Sequence, residues 1–501
     1  MLSQRRKLHL TSGFALFLQV FTIIYGFILP RLFLEYYGSA VNGLVSSIAQ
    51  FLGFIALAEC GVGAVVQSAL YKPLAKKDNQ ELSRIVISAE HFFRNIAKLL
   101  VIYTVILTLL FPNVISGNFD FLYTASLILI ISISSFAQYY FGITYRLLLN
   151  SDQFGFVPII IHIAALSLNL VASIILMKLG YSVHVVKLAS SMVFLLQPLA
   201  VSFIAHRWYH INRTCRYDKT AIPQKWNGLA QHISSVVLQS SGVFVLTLFS
   251  TLENVSVYAI YYLVVGGVRS LTMSLTNGMQ AFLGNIFANG DLPAFKEKFE
   301  SFELRLHFVV SVVFAVTAVL IVPFVSVYTK GINDVNYIVP VFGFTLTVAW
   351  GMYCIRLPYN IVVLAVGHYK QTQSSAIIEA ILNLATAIIL VLKFGLVGVA
   401  VGTLVAMIYR TCYLAWYISR NVINRSLWPF VKHLCVDAIA VVAFFGSVTY
   451  LFGSIDEIKV SSYLEWIIEA AKVLVLGITS VGLVNVVAYG NKIKALRKNN
   501  S

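Results

Sequence analysis

The chain is a succession of long apolar runs separated by short polar segments. We count fourteen such runs, the first at residues 13–34 and the last at 463–489. A helix needs roughly 20 apolar residues to cross a bilayer, and these runs have that length. They are continuous rather than alternating, which excludes a β-barrel, and in lipid only a helix satisfies its own backbone groups. The sequence therefore predicts an all-α polytopic membrane protein with about 14 transmembrane helices.

The first apolar run follows Arg5, Arg6 and Lys7, an arrangement that resembles a signal peptide. The run is long enough to cross the bilayer and lacks a small-residue cleavage site, so it instead predicts a retained first span. The remaining predicted spans cover residues 41–70, 94–111, 121–149, 157–177, 183–206, 229–250, 257–288, 304–328, 336–366, 373–392, 396–419 and 430–452.

Composition argues against a soluble enzyme, because 59% of the residues are hydrophobic and only 11% are charged. An ordinary soluble domain carries roughly a quarter charged residues. None of the 30 glycines is followed by lysine, so the chain lacks the phosphate-cradling loop of an ATPase. We therefore expect no enzymatic activity, no cofactor, no use of ATP and no nucleic-acid partner. Transport would run on an ion gradient, the membrane potential or consumption of the product.

The basic residues fall mainly on one side of the predicted membrane. The chain has 36 Lys and Arg against 20 Asp and Glu, a net charge of +16. About 26 of the basic residues lie in alternate loops and their flanks, and about six lie on the opposite side. Those six are Arg31, Lys178, Lys187, Lys330, Lys393 and Lys459. Because basic loops stay in the cytoplasm, both termini are predicted to be cytoplasmic.

An internal repeat relates the two halves of the chain. An offset of 214 positions lays Leu168, Asn169 and Leu170 on Leu382, Asn383 and Leu384, and Tyr145 on Tyr359. The offset moves a span by six helices, an even number, so the halves share an orientation and an axis along the membrane normal. The predicted domains are a six-helix lobe at 1–206, a cytoplasmic linker at 207–228, a second six-helix lobe at 229–420, and helices 13 and 14 with a basic tail at 421–501.

The segment at 38–75 contains VNGL, ALAE, GVG and YKPLA. It resembles the second span and first cytoplasmic loop of bacterial polysaccharide flippases, in the multidrug/oligosaccharidyl-lipid/polysaccharide exporter superfamily. This resemblance implies a plasma-membrane protein that moves undecaprenyl-diphosphate-linked oligosaccharide from the cytoplasmic to the outer leaflet. The product would enter O-antigen, capsule or exopolysaccharide synthesis. The resemblance implies the lipid bilayer as one partner and a glycosyltransferase or polymerase of the same pathway as a second.

Four arginines within or at the ends of spans are candidate diphosphate ligands: Arg269, Arg356, Arg146 and Arg31. A charge at mid-bilayer costs at least roughly 2.5 to 3.5 kcal/mol, so such residues are functional candidates by default. Guanidinium suits a diphosphate because it offers a fork of donors and stays charged. Arg31 and Arg146 have an alternative role, in which they extend to the two membrane interfaces. Arg410 is placed near an interface.

Two acidic residues inside spans, Glu59 and Glu379, are candidates for pairing with a cavity arginine or for taking up a coupling ion. His206 and His210 have metal-ligand spacing but no third ligand, so no metal site is predicted. The alternative function is an ion-coupled exporter of small molecules or drugs, whose cationic substrates require buried carboxylates. A membrane-embedded glycosyltransferase or polymerase is a third class, which the short outer loops disfavour.

A further segment, from Lys76 to Lys98, has apolar residues at helical spacing with charged residues between them. This pattern predicts an amphipathic helix that lies on the cytoplasmic leaflet.

Overall fold

A computed structural model describes residues 4–59, 61–115, 119–215, 218, 229–453 and 460–498. Residues 216–217 and 219–228 of the predicted linker, and Lys459, lie outside the described residues. The chain divides into two compact units, Met1–Ser256 and Val257–Ser501, which we call unit 1 and unit 2. The described residues form helices and connecting turns without a β-strand, which confirms the predicted all-α class.

Sixteen α-helices follow one another along the described chain. They are α1 (Gln4–Gly53), α2 (Val62–Lys76), α3 (Asn79–Val114), α4 (Phe121–Ala137), α5 (Ile143–Ser151), α6 (Phe156–Lys178), α7 (Val183–Trp208), α8 (Leu229–Phe249), α9 (Leu252–Ser274), α10 (Met279–Ala288), α11 (Leu292–Tyr328), α12 (Pro340–Ile355), α13 (Leu357–Val366), α14 (Gln373–Asn421), α15 (Trp428–Phe452) and α16 (Tyr463–Lys498).

Twelve helical stretches in the described chain are long and apolar enough to cross a membrane, which indicates a multi-pass membrane protein. Two of them, His9–Glu59 and Gln373–Asn421, have 51 and 49 residues. A helix of about 50 residues is roughly 75 Å long, more than twice the hydrocarbon core of a bilayer. Each contains a glycine with non-helical backbone, Gly38 or Gly395. Each therefore supplies two crossings, and the total is the predicted fourteen.

The two crossings within α14 pack against each other as an antiparallel hairpin around Gly395. The amide of Asn383 donates to the hydroxyl of Thr403 across the hairpin, at 3.4 Å. A Cβ on Gly402 would lie only 2.6 Å from the backbone nitrogen of Ala387. The absence of a side chain at Gly402 is what lets the two backbones approach so closely.

The internal repeat is present at the level of whole helices. The sequence offset places α3, Asn79–Val114, on α11, Leu292–Tyr328, so that both helices begin and end at nearly equivalent positions. Asn169 and Asn383, which the same offset aligns, are both fully buried. The aspartates before the two helices, Asp78 and Asp291, each accept a hydrogen bond from the first helical turn. Equivalent helices therefore begin with the same N-terminal cap, which satisfies backbone donors that have no partner within the helix.

Helix interruptions also recur at equivalent positions. A π-helical turn at Gln138–Gly142 separates α4 from α5, and Arg356 separates α12 from α13. Pro358, which has no backbone N–H and favours the first turn of a helix, lies two residues after the second break. Irregular backbone at membrane depth is tolerated where it is buried in protein or lines a cavity. The two breaks are therefore candidate positions for a binding site.

The amphipathic segment predicted to lie on the membrane surface is helical, but its predicted location is wrong. It forms the first part of α3 and continues without interruption into the third span. Its apolar residues Val86, Ala89 and Phe93 are fully buried in the core of unit 1. The same periodicity that suits a lipid surface also suits packing against neighbouring helices, so sequence pattern alone does not distinguish the two.

The last two helices, α15 and α16, pack against α11 within unit 2. Their shared core contains Val312, Val319, Phe444, Val473 and Val481. Asp437 of α15 contacts Nδ1 of His307 on α11 at 2.6 Å. Helices 13 and 14, which lie outside the repeat, are thus integral to the packing of unit 2.

Candidate functional site

Two of the predicted arginines in unit 2 lie on one pair of aromatic rings. The guanidinium carbon of Arg269, on α9, lies 4.6 Å from the centre of the Trp350 ring and 5.7 Å from that of Tyr353. The guanidinium of Arg356 lies 4.6 Å from the same Tyr353 ring. Guanidinium groups are attracted to the negative faces of aromatic rings. Trp350 and Tyr353, both on α12, therefore hold two positive charges near each other between helices that are long and apolar enough to cross a membrane.

The carboxylate of Glu379 contacts two guanidinium groups in the same region. It pairs with Arg356, and its Oε2 lies 3.8 Å from Nε of Arg410. All three residues are buried, with exposed fractions of 3% for Glu379, 7% for Arg356 and 2% for Arg410. We call Arg269, Arg356, Arg410 and Glu379 the arginine cluster. Three guanidinium groups outnumber one carboxylate, so the cluster carries excess positive charge.

Sequence reasoning placed Arg410 near an interface and gave it no role in the site, whereas the structure places it in the arginine cluster. The side chain is almost fully buried and donates to Oγ of Ser375 at 2.9 Å. The hairpin around Gly395 explains the position. Ala387 lies against Gly402 in this antiparallel hairpin. Glu379 and Arg410 are equally far from that contact along their helices, so they lie opposite each other. Treating these two spans as one hairpin is the signal that would have identified Arg410.

The remaining predicted residues lie in unit 1. Arg31 is half-buried near the end of the first crossing, and Arg146 on α5 has an exposed side chain. Glu59 ends a short 3-10 helix and accepts a 2.5 Å hydrogen bond from the hydroxyl of Tyr139. The structure thus divides the predicted arginines between the units, two in each, and their roles as diphosphate ligands stay predictions.

A second kind of polar contact, not predicted from the sequence, occurs in unit 1. Glu90 on α3 is buried, and its carboxylate accepts a hydrogen bond from the hydroxyl of Tyr145 on α5. Arg213 contacts the same carboxylate at 3.1 Å and the Tyr145 hydroxyl at 3.0 Å. His206 is also in contact with the Tyr145 hydroxyl, at 2.9 Å. This contact accounts for the position of His206 without a metal ion.

Unit 2 contains the equivalent arrangement. Glu303 on α11 accepts a 2.5 Å hydrogen bond from Tyr359 on α13, and Arg425 contacts both of its carboxylate oxygens at 2.7 and 2.5 Å. Burial opposes the charge on Arg425, but the hydrogen bonds and negative charge of Glu303 outweigh it and raise the pKa of Arg425 above its ordinary value. We call each Tyr–Glu–Arg set a clasp. Both arginines lie in loops predicted to be cytoplasmic.

The described residues contain no group of three or more His, Cys, Asp or Glu side chains that could hold a metal ion.

At the sequence level, no family model and no curated protein matches the chain. Similar solved structures exist. The lipid II flippase MurJ in an inward closed conformation has a TM-score of 0.72 at 16% identity, covering 97% of this chain and 99% of that one. An inward-facing multidrug resistance MATE transporter of the MOP superfamily has a TM-score of 0.54 at 15% identity, covering 80% and 95%.

The MATE multidrug transporter DinF-BH, solved in complex with R6G, has a TM-score of 0.55 at 14% identity, covering 83% of this chain and 97% of that one. At these identities the likeness concerns the arrangement of the helices. The chain therefore has the fold of MurJ and of the MATE transporters of the MOP superfamily.

Proposed function

We propose that this protein is a flippase for undecaprenyl-diphosphate-linked oligosaccharide, which it moves from the cytoplasmic to the outer leaflet of the bacterial plasma membrane. The translocated units would supply O-antigen, capsule or exopolysaccharide synthesis. The observation that carries this proposal is the arginine cluster, with three guanidinium groups and one carboxylate inside the membrane. The fold supports it, because a protein named as a flippase of lipid II has the same arrangement of helices along nearly its whole length.

A diphosphate needs donors that stay charged and give up water readily, and guanidinium groups meet both needs. In the cluster, Glu379 contacts Arg356 and Arg410 and neutralises part of their charge. Arg269 is held by aromatic rings instead, and no ion pair joins it to a carboxylate in the described part of the chain. Its positive charge is therefore available to a diphosphate. Arg269 is therefore the proposed main ligand, with Arg356 beside it.

Arg146 and Arg31 in unit 1 are proposed as further ligands, met at different stages of transport. The two lobes, at 1–206 and 229–420, would rock about the substrate and expose it to each side in turn. The polyprenyl chain would remain in lipid while the arginines neutralise the diphosphate. Glu59 and Glu379 are the proposed sites of charge pairing or ion coupling, in a cycle driven by an ion gradient, the membrane potential or consumption of the product.

An ion-coupled exporter of small molecules is the alternative, and the likeness to two MATE transporters favours it. The sign of the charge at the site distinguishes the two functions, because an organic cation requires an acidic partner. The carboxylates of Glu59, Glu90, Glu303 and Glu379 each accept a hydrogen bond from a tyrosine or an arginine. Arginines balance the negative charge of Glu90, Glu303 and Glu379, whereas the partner of Glu59 is a neutral tyrosine. Because guanidinium groups outnumber carboxylates in the arginine cluster, we place the flippase first.

The test is translocation of a fluorescent polyprenyl-diphosphate oligosaccharide in vesicles that contain the purified protein. We expect transport by the wild type and its loss in the Arg269→Ala, Arg356→Ala double variant. Arg420→Ala is the matched control, because Arg420 is exposed on α14 and lies outside the cluster. Wild-type rates from the double variant would contradict the arginine site. Efflux of cationic dyes without lipid movement would assign the protein to the alternative class.

A further inference from the structure

Unit 1 contains a cavity of about 640 Å³ that the arginine cluster does not include. Its walls come from α1, the π-helical turn, α5, α6, α7 and the short loop between α5 and α6. The volume falls within the roughly 300–1,000 Å³ typical of ligand sites. Seven of the lining side chains are polar and can form hydrogen bonds with a ligand. They are Thr11, Gln138, Arg146, Asn150, Gln153, His162 and Gln197.

Arg146 gives the cavity its charge. Its side chain is exposed at the cavity wall, and no ion pair joins it to a carboxylate in the described part of the chain. Among the carboxylates of unit 1, Glu90 contacts Arg213, and the half-buried Glu59 accepts a hydrogen bond from Tyr139, whose hydroxyl lies within electrostatic reach of Arg146. A guanidinium without an acidic partner beside a cavity favours an anionic ligand and disfavours a cation.

The backbone is irregular at two of the polar lining positions. Gln138 is the first residue of the π-helical turn, a rare element that is frequent at functional sites. Gln153 has a φ of 61°, in the left-handed region that residues with a side chain rarely adopt. Uncommon backbone conformations cluster at functional sites. Lys77 and Asn424, outside the cavity, have a similar φ, so the residues around Gln153 must carry the argument.

The repeat supplies an internal comparison for Gln153. The repeat offset aligns it with Gly367, which has a φ of 76° at the end of α13. Glycine adopts this conformation without strain. Unit 2 thus uses the residue that the backbone favours, whereas unit 1 keeps an amide side chain at the cavity despite the strain. The helix ending alone does not require glutamine there.

Five other polar residues of the cavity are also specific to unit 1. At the same offset, unit 2 has Met352, Asn360, Leu364, Ala376 and Thr411 where unit 1 has Gln138, Arg146, Asn150, His162 and Gln197. The cationic group, the imidazole and the long amides are replaced by shorter or apolar side chains. The polar lining is therefore a property of unit 1 and does not follow from the fold of the repeat.

We infer that this cavity binds the phosphorylated saccharide portion of the transported lipid, with Arg146 on a phosphate and the amides and imidazole on sugar hydroxyl and amide groups. Amide side chains both donate and accept hydrogen bonds, as sugar hydroxyls do. The loop that carries Gln153 joins spans predicted to meet on the cytoplasmic side, where the substrate is loaded. The inference rests on the proposed function for the identity of the sugar-bearing ligand.

The test measures binding to the full-length protein in lipid nanodiscs with three probes. These are a short-chain prenyl-diphosphate disaccharide, the same prenyl diphosphate without sugar, and a soluble disaccharide phosphate. Arg146→Ala removes the charge, and Gln153→Gly removes only the amide, at a position whose backbone suits glycine. Asn360→Ala, at the position equivalent to Arg146 in unit 2, is the matched control.

We expect Arg146→Ala to weaken binding of both sugar-bearing probes by roughly tenfold or more, the usual effect of losing a hydrogen bond to a charged group. Gln153→Gly is expected to weaken the same two probes severalfold and to leave prenyl diphosphate unchanged, because the amide contacts only sugar. Asn360→Ala is expected to bind all three probes as the wild type does.

Wild-type affinity of both cavity variants for the sugar-bearing probes would overturn the inference, even in a protein that translocates the lipid. Equal weakening of all three probes by Gln153→Gly would also overturn it, because the amide would then not act by binding the sugar. If the wild type moves no lipid-linked oligosaccharide, the proposed function fails by itself. The soluble disaccharide phosphate then tests the cavity by itself. Binding that depends on Arg146 supports a saccharide-phosphate site, and failure to bind excludes one.

Discussion

The hydroxyl of Tyr359 donates a 2.5 Å hydrogen bond to the carboxylate of Glu303, a residue with no exposed surface. Arg425 contacts the same carboxylate through two nitrogens. A buried carboxylate without a partner is strongly destabilising, whereas a well-paired one is tolerated. The clasp of unit 2 therefore links α11, α13 and the loop after α14 through their contacts with the carboxylate of Glu303.

Arg425→Ala is expected to lower the free energy of unfolding by about 3–5 kcal/mol, because it leaves the charge of Glu303 buried without its cationic partner. Tyr359→Phe should cost less, about 1–3 kcal/mol, since it removes one hydrogen bond. Both effects can be measured by thermal and chemical unfolding of the purified protein in detergent. Arg420→Ala, at an exposed position on α14, should leave stability nearly unchanged.

The clasp of unit 1 provides a second comparison. The side chain of Arg213 is 50% exposed, whereas that of Arg425 is 4% exposed. Solvent screens an exposed ion pair, so Arg213→Ala should destabilise clearly less than Arg425→Ala. Equal losses from the two variants would show that burial does not govern the strength of the clasps.

The arginine cluster predicts an unequal response to removal of its members. Glu379→Ala should be more destabilising than Arg356→Ala, because it leaves the buried guanidinium groups of Arg356 and Arg410 without the carboxylate that both contact. In Arg356→Ala, the carboxylate of Glu379 still has Arg410 at 3.8 Å. Unfolding of the single variants in detergent measures the order, and the reverse order would contradict this assignment of partners.

Much of the fold followed from the sequence because the bilayer imposes simple rules on it. Span length and continuous apolarity predicted fourteen crossings, and the aligned Asn169 and Asn383 pointed to the repeat. Partners of buried charges could not be predicted in the same way, since they depend on helix rotation and hairpin register. Arg410 illustrates this, because its position relative to Glu379 depends on where the chain turns at Gly395.

The clasps likewise combine one feature that the sequence shows with partners that it does not show. The alignment of Tyr145 with Tyr359 was visible in the sequence, but their glutamate partners lie 55 and 56 residues away along the chain. The arginines Arg213 and Arg425 were counted only among the loop residues that orient the protein. A positive charge in a cytoplasmic loop fulfils the orientation rule whether or not it contacts a buried carboxylate, so its second role is invisible to that rule.

The hairpin of α14 depends on close backbone contact at Gly402. Gly402→Ala should destabilise the protein by about 1–3 kcal/mol, the usual cost of overpacking, because the new Cβ would lie 2.6 Å from the Ala387 nitrogen. The control is Gly446→Ala on α15, where a Cβ would meet nothing within 4 Å. That change should be neutral or stabilising by up to about 1 kcal/mol, since alanine favours the helix. Unfolding midpoints in detergent compare the two, and similar effects would argue against close packing at Gly402.

A reciprocal exchange tests the strain at the unit 1 cavity independently of any ligand. Gln153→Gly should stabilise the protein by up to about 1 kcal/mol, because a left-handed residue with a side chain costs roughly 1–2 kcal/mol and the extra freedom of unfolded glycine returns part of that. Gly367→Gln should destabilise by a similar amount, since its φ of 76° is also left-handed. A Cβ at Gly367 would meet nothing within 4 Å, so steric clash does not complicate the comparison. Unfolding in detergent without substrate should therefore give changes of opposite sign. A loss of stability in Gln153→Gly would mean that the amide is held for packing, and the strain would then be no indication of a binding role.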